Sequence, residues 1–418
     1  MMERTDIHTM SDAVHRSLME RFFTIGQTVE YNQRRVLNAF REAEVSDYHF
    51  APSTGYGYDD SGRDKLENIY AEVFAAESAL VRGQFVSGTH AISTALFGVL
   101  RPGDELLYIT GRPYDTLEEV IGLKGEAGNG ALKDYGITYK EVELKNGNID
   151  VEEVLNQITD NTKVIGIQRS RGYGNRPSIT IDAMEEAIHS LKAVHPGLIV
   201  FVDNCYGEFV ETREPGHAGA DLTAGSLIKN PGGGLALTGG YICGRKDLVI
   251  KCANRLAAPG IGAEGGATTG VLHGMFQGFF LAPHVVGEAL KGAVFTAAML
   301  EEAGMSVEPK ASEERTDLIQ AVHFNSAEEM TAFCQTIQKF SPVDSHVTPY
   351  PSPMPGYSDD VIMAAGAFIQ GASIELSADG PLRPPYRAYV QGGLTFEHVK
   401  TAVTEAVSAA LTGVISRK

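Results

Sequence analysis

The chain is predicted to be an α/β protein whose mostly parallel central sheet is flanked by helices, with a smaller α+β domain at the C-terminal end. Three observations carry that expectation. From about residue 64, short apolar runs alternate with helical stretches, the pattern of parallel strands joined by crossover helices. With 46 glycines and 43% hydrophobic residues in 418, the chain can bury a large core in two or three domains. After Gly304 the text changes to short β-like runs.

Val14, Leu18, Phe22, Val36 and Phe40 recur at helical spacing among charges, which predicts two amphipathic helices forming an N-terminal arm over 1–50. The segment Phe50-Ala-Pro-Ser-Thr-Gly55-Tyr-Gly-Tyr-Asp-Asp-Ser-Gly62 breaks that periodicity with crowded glycines and aromatics, as a turn-rich surface segment does. A large domain over 51–300 follows. In it Lys65–Leu80 is expected as helix, Gln84–Val86 as strand, His90–Leu100 as helix and Glu105–Ile109 as strand. Lys163–Gln168 and Leu198–Asp203 are further strands around a helix at Ile181–Val194, and the apolar stretch Val271–Leu300 reads as one or two buried helices. Over 301–418, β-like runs at Leu318–Phe324, Ala367–Leu376 and Ala388–Val390 with helices at Ser326–Gln338 and Thr395–Leu411 predict the small domain.

A formal charge of −18 argues against a nucleic-acid surface, which needs clustered Lys and Arg. Any anionic ligand must therefore be bound locally. Cys205, Cys243, Cys252 and Cys334 show no CxxC pairing, so neither a zinc site nor a disulfide framework is indicated, and reduced thiols of a cytoplasmic protein are expected. Met1 to Glu20 lacks a signal-peptide core, and no apolar run approaches the roughly 18 residues of a membrane span.

Lys229 stands in Ser226-Leu-Ile-Lys229-Asn-Pro-Gly-Gly-Gly, 26 positions after the carboxylate that ends the apolar strand Leu198-Ile-Val-Phe-Val-Asp203. An amine able to hold an aldehyde as a Schiff base and a carboxylate able to keep a pyridine nitrogen protonated suggest pyridoxal 5'-phosphate. Burial on that irregular loop is expected to disfavour the ammonium form of Lys229. Burying Asp203 is costly without a cationic partner; a pyridinium N–H is such a partner, and a helix cap or an arginine contact is the structural alternative.

Ser87-Gly88-Thr89-His90-Ala91 lies at a strand-to-helix junction, where free N–H groups and the helix dipole favour a phosphate, although an ordinary Ser/Thr cap reads the same. Tyr114, just past a strand end, is placed to lie over a cofactor or simply to pack. Gly260-Ile-Gly262-Ala-Glu-Gly265 fits GxGxxG but follows no strand, so a dinucleotide site is not expected.

In this order, the elements resemble the methionine γ-lyase and cystathionine β-lyase branch of fold type I pyridoxal phosphate enzymes. Gly55-Tyr-Gly-Tyr-Asp-Asp-Ser-Gly-Arg-Asp64, Ser-Gly-Thr-His-Ala-Ile and Glu375-Leu-Ser-Ala-Asp-Gly-Pro are similar to the bacterial aluminium-resistance or methionine γ-lyase-related group over nearly the full length. The resemblance implies Gly88 and Thr89, after Ser87, as phosphate donors with Ser226, Tyr114 as the ring stacked on the cofactor, Asp203 as the pyridine partner and Lys229 as the Schiff-base lysine. It implies Arg387 as the substrate-carboxylate ligand, with Arg383 a competitor. Tyr56 or Tyr58 and Arg63 would reach a neighbouring subunit's phosphate in a homotetramer of dimers.

The chain also departs from that branch. Ile228 replaces a second hydroxyl, Asp115-Thr116 stands where a specificity cysteine is found, and Gln168-Arg-Ser-Arg-Gly-Tyr-Gly-Asn-Arg-Pro177 replaces an Asn-Pro turn. The reaction implied is loss of a thiol from a sulfur-containing amino acid, with Lys229 moving the α-proton and Tyr114 assisting the leaving group. An aminotransferase or aldolase on the same fold, or a cofactor-binding protein with a regulatory or metal-tolerance role, is the competing expectation.

Overall fold

The structure is a computed structural model that describes residues 4–411. Strands β1 (Ser78–Arg82), β2 (Glu105–Tyr108), β3 (Thr138–Glu141), β4 (Thr162–Gln168), β5 (Ile199–Asp203), β6 (Leu222–Ser226) and β7 (Gly240–Gly244) form one sheet, in the order β1-β7-β6-β5-β4-β2-β3. Within it only β7 runs against its neighbours.

Alternation along the central strands divides two cores. Phe201 and Val164 face one side with Ile92 and Leu96 of α4 (Gly88–Val99, below), while Val200, Val202 and Ile165 face the other with Met184 and Ile188. Successive side chains of a strand point to opposite faces, so a run without polar interruption becomes the middle layer of three.

Helices α1 (Arg4–Ser17) and α2 (Met19–Glu42) do not stand apart from this body. Phe22, Ile25 and Val36 share a core with Phe276, Phe279 and Val399, and Ser11 Oγ meets Thr404 Oγ1 at 2.8 Å. Helix α3 (Ser61–Val73) is capped by Asp60, which accepts from the Arg63 N–H at 2.9 Å, and α4 (Gly88–Val99) by Ser87, which accepts from the His90 N–H at 3.1 Å. Such caps satisfy donors that the helix cannot.

After these come α5 (Asp115–Ile121), α6 (Val151–Gln157), α7 (Ile181–Val194), α8 (Lys246–Leu256) and the single long α9 (Leu272–Glu302). A second, antiparallel sheet orders β10 (Val361–Ala364), β11 (Ser377–Pro381), β12 (Arg387–Gln391), β9 (Gln320–His323) and β8 (Val307–Glu308), with α10 (Ala327–Lys339) and α11 (Phe396–Leu411) beside it.

Two expectations are corrected. The helix expected over Lys65–Leu80 stops at Val73, because Ala75 takes a left-handed φ of 52°, and the following apolar run pairs with β7 as β1. Residues 84–86 therefore turn and form no strand. Nor is Ala367–Leu376 a strand: the Glu375 carboxylate accepts the N–H groups of Phe368 and Ile369 at 2.9 and 3.0 Å, closing a loop between β10 and β11. Among the described residues, no helix is long and apolar enough to cross a membrane.

Candidate active site

The carboxyl ends of β4, β5 and β6 and the N-terminus of α4 converge on a cleft of about 190 Å³. Open α/β sheets bind ligands at such edges. Ser87, Gly88, Thr89, Tyr114, Asp203, Ser226 and Lys229 all line it. Register explains part of this convergence, since Asp203 lies opposite Gln168 on β4 and Ala224 on β6.

At one end, the first N–H groups of α4 have no partner within the helix, as at any helix start. A Cβ on Gly88 would lie 3.0 Å from Ser226 Cβ and 3.6 Å from Cys205 Sγ, so glycine keeps this space open. Thr89 Oγ1 meets Thr116 Oγ1 at 3.0 Å. The result is a small cradle of donors.

Asp203 is 7% exposed and accepts the Cys205 N–H at 3.1 Å. Burial raises its pKa, against which the Lys229 charge is the strongest opposing influence. Asn204 beside it is anchored from below: its Oδ1 accepts from Arg169 Nη1 at 2.8 Å, and its Nδ2 donates to Glu214 Oε2 at 3.1 Å. Arg169 also pairs with Glu211 at 2.6 Å, and Arg35 of α2 with Glu214 at 3.5 Å. Removing one member of such a buried network would strand the others.

Lys229 Nζ lies 4.1 Å from the centroid of the Tyr206 ring, a cation–π distance. Burial disfavours its charge, but the acidic groups around it, Cys205 and Tyr206 and then Asp203 and Glu208, hold its pKa above the ordinary lysine value. This reverses the expected direction, because spacing along the chain did not reveal that ring of acids. Gly233, at φ 53°, lets the following loop approach Gly278 of α9.

Tyr114 opens α5, its N–H donating to Gln168 Oε1 at 2.7 Å. Its hydroxyl bonds that of Tyr357, and its ring centroid lies 5.3 Å from that of Tyr173. Burial first, and Tyr357 next, push its phenol well above the usual range.

The other nominated residues do not join the cleft. Tyr56 and Tyr58 are 75% and 55% exposed and stack on each other at 5.3 Å. Arg63 is 2% exposed and donates to the carbonyls of Gly57 at 2.7 Å, Gly266 at 3.2 Å and Glu264 at 3.4 Å, so its guanidinium is engaged within the chain. Arg387 sits opposite His323 and donates to its Nδ1 at 3.2 Å. Arg383 binds Asp359 at 2.9 Å and Asp115 at 3.4 Å. Sequence reasoning missed Gln168, Cys205 and Tyr206, all of which line the cleft. Position at or just after a strand end is the signal that could have found them.

This donor set fits pyridoxal phosphate: a cradle that a Cβ would fill at Gly88, a buried carboxylate for a ring N–H, and an amine for the aldehyde. A sequence model of the family described as Methionine gamma-lyase matches residues 7–411. An uncharacterized protein, YnbB of Bacillus subtilis (strain 168), is 63% identical over 92% of this chain and 92% of its own. The crystal structure of a Listeria monocytogenes protein provisionally named a cystathionine beta-lyase involved in aluminum resistance has 58% identity and a TM-score of 0.93, covering 96% of this chain and 99% of that one. The pyridoxal-5'-phosphate dependent protein YhfS of Escherichia coli, at 17% identity and a TM-score of 0.62 over 92% of this chain and 97% of its own, shares the fold.

Proposed function

The chain belongs to the methionine gamma-lyase family, and from that premise we propose that it is a pyridoxal 5'-phosphate-dependent carbon–sulfur lyase acting on a sulfur-containing amino acid. The observation that carries this reading is the presence of Lys229, Asp203 and the Gly88–Ser226 cradle around one cleft. In this reading the N–H groups of Gly88 and Thr89 and the Ser226 hydroxyl hold the phosphate, Asp203 holds the ring nitrogen, and Lys229 holds the aldehyde. Bound there, the cofactor supplies a sink for the electrons left when an amino acid loses its α-proton.

The chain's own residues do the rest. Lys229 Nζ, as the neutral amine, takes the proton from Cα. The Tyr114 phenol, held protonated by burial and bonded to Tyr357, stands ready to give a proton to the departing sulfur. Loss of the thiol and addition of water then leave a keto acid and ammonia. The working unit in this reading is a cytoplasmic homotetramer of dimers; the exposed stacked pair Tyr56 and Tyr58 is the feature that suits contact with a second copy.

The test is direct. Protein incubated with pyridoxal phosphate should show a visible band that borohydride bleaches, with a pyridoxyl adduct on Lys229. Lys229→Ala should lose the adduct, with turnover falling about 10³-fold or more. Thiol should be released from methionine or cystathionine, pyruvate marking β- and 2-oxobutyrate γ-elimination. A colourless protein, or amino transfer without thiol, would sink the reading.

A further inference from the structure

Tyr206 lines the cleft with a backbone that few tyrosines adopt. The Gly207 N–H donates to the Asn204 carbonyl at 2.9 Å, closing a four-residue turn in which Tyr206 stands third at a φ of 71°. Glycine takes that left-handed conformation freely, whereas a bulky residue takes it only where its surroundings impose it.

Here they do. Asn204, which opens the turn, donates its N–H to the Ala224 carbonyl at 3.1 Å, and its side chain is held by Arg169 and Glu214. Asp203 takes the Cys205 N–H at 3.1 Å. A Cβ on Gly207 would lie 2.5 Å from Arg169 Cδ, so the chain leaves the turn close against that guanidinium stem. The Tyr206 ring then packs against Ile319, Ala321 and Tyr389 and presents its face to Lys229, with Nζ 4.1 Å from the centroid. Burial raises the pKa of the phenol, so the ring is uncharged and holds Nζ through its face.

A ring face attracts an ammonium and not a neutral amine, because its quadrupole acts on charge. Packing alone would be met by any apolar side chain of similar bulk. We infer that Tyr206 is a positioning residue for Lys229, its ring face receiving Nζ as the ammonium and so favouring the amine's gain of a proton. The step it serves rests on the carbon–sulfur lyase reading. When the Cα–H bond breaks, its electron pair stays with the substrate and the proton is bound by the Nζ lone pair; the new ammonium lies against the ring. Asp203, Cys205, Glu208 and, from β11, Asp379 also act on Nζ, and all four are kept in the variants that test the ring.

Tyr206→Leu keeps apolar bulk and removes the face; Tyr206→Phe keeps the face and removes the hydroxyl. Tyr206→Met replaces the first if that variant does not fold. The full chain without added cofactor is treated at about pH 8 with cyanate, which reacts with neutral amines, and modification of Lys229 is followed by mass spectrometry. Loss of the face should lower the Lys229 pKa by about one unit, so that Tyr206→Leu is modified about tenfold faster while Tyr206→Phe keeps the wild-type rate. The larger trinitrobenzenesulfonate should give the same factor. A factor that changes with reagent size marks altered access and overturns the assignment, as do equal rates in Tyr206→Leu and wild type. A Tyr206→Phe rate as fast as that of Tyr206→Leu also overturns it, by giving the effect to the hydroxyl.

In the holoenzyme, Tyr206→Leu should lose about tenfold in kcat with KM unmoved, restored in Tyr206→Phe. A loss through KM alone would overturn the role by placing Tyr206 at the substrate. The borohydride adduct on Lys229 keeps the two readings apart. An adduct without a labelling difference defeats the role of Tyr206 alone, and a labelling difference without an adduct supports the ring contact while defeating the lyase reading.

Discussion

Gln168, Asp203 and Ser226 are the last residues of three neighbouring strands, each registered against the next by a ladder, whereas Tyr114, Tyr173 and Tyr357 stand outside any strand. The two sides of the site are thus held by different forces. A register slip of one residue would turn every floor side chain to the opposite face and mismatch both core layers, so the floor's geometry is tied to global stability. The outer wall depends on a few side-chain contacts, such as Tyr357 on Tyr114 and Arg383 on Asp359 and Asp115. Changes at the floor should therefore be read in stability and cofactor retention, and changes at the wall in turnover.

The largest effect should come from beneath the floor. Glu208 is fully buried, accepts the Tyr241 hydroxyl at 2.8 Å and leaves Oε2 without a partner; burial pushes its pKa up to about 8. A carboxyl with a raised folded pKa supports the fold fully below its unfolded value near 4.5. That support declines as pH rises and is gone above about 8. Glu208→Gln should match wild type in acid, then gain on it by several kcal/mol towards pH 8 and level off. Thermal denaturation of the holoenzyme from pH 5 to 9 checks this, and a constant gap would detach Glu208 from floor stability.

Gly88→Ala comes next. Its new Cβ would lie 3.0 Å from Ser226 Cβ, an overpacking worth about 1–3 kcal/mol, and cofactor affinity measured by fluorescence titration should fall about tenfold. Unchanged affinity would mean the cradle gives way locally and the floor is less rigid than its ladder implies. The smallest effect belongs to Tyr357→Phe, which removes one hydrogen bond at the wall. Here kcat should drop about two- to tenfold with cofactor affinity unmoved, and a fall in that affinity would erase the distinction between the two sides.

The floor was also the legible side. Five apolar residues ending on Asp203 announce a buried strand with a carboxylate at its tip, and a Ser-Gly-Thr junction announces a helix start. Misreadings fell where long-range contacts decide. Nothing in Ala75 signals its left-handed φ, so a strand was merged into a helix. Nor does the sequence show that Arg387 stands opposite His323 or that three carbonyls surround Arg63. Arg169, Arg171 and Arg176 are near-neighbours in sequence, yet they turn to Glu211, Glu308 and backbone oxygens respectively. No local pattern distinguishes them.

The contact between Ser11 and Thr404 joins residues 393 positions apart. During synthesis the first helix therefore emerges long before the last helix that covers it exists. Its apolar residues, Ile7 and Val14 among them, lack part of their cover until α11 has been made, since domains form from the N-terminus as the chain grows. A ribosome that stalls before α11 leaves part of α1 uncovered, so this pair of helices ties early-made chain to late-made chain.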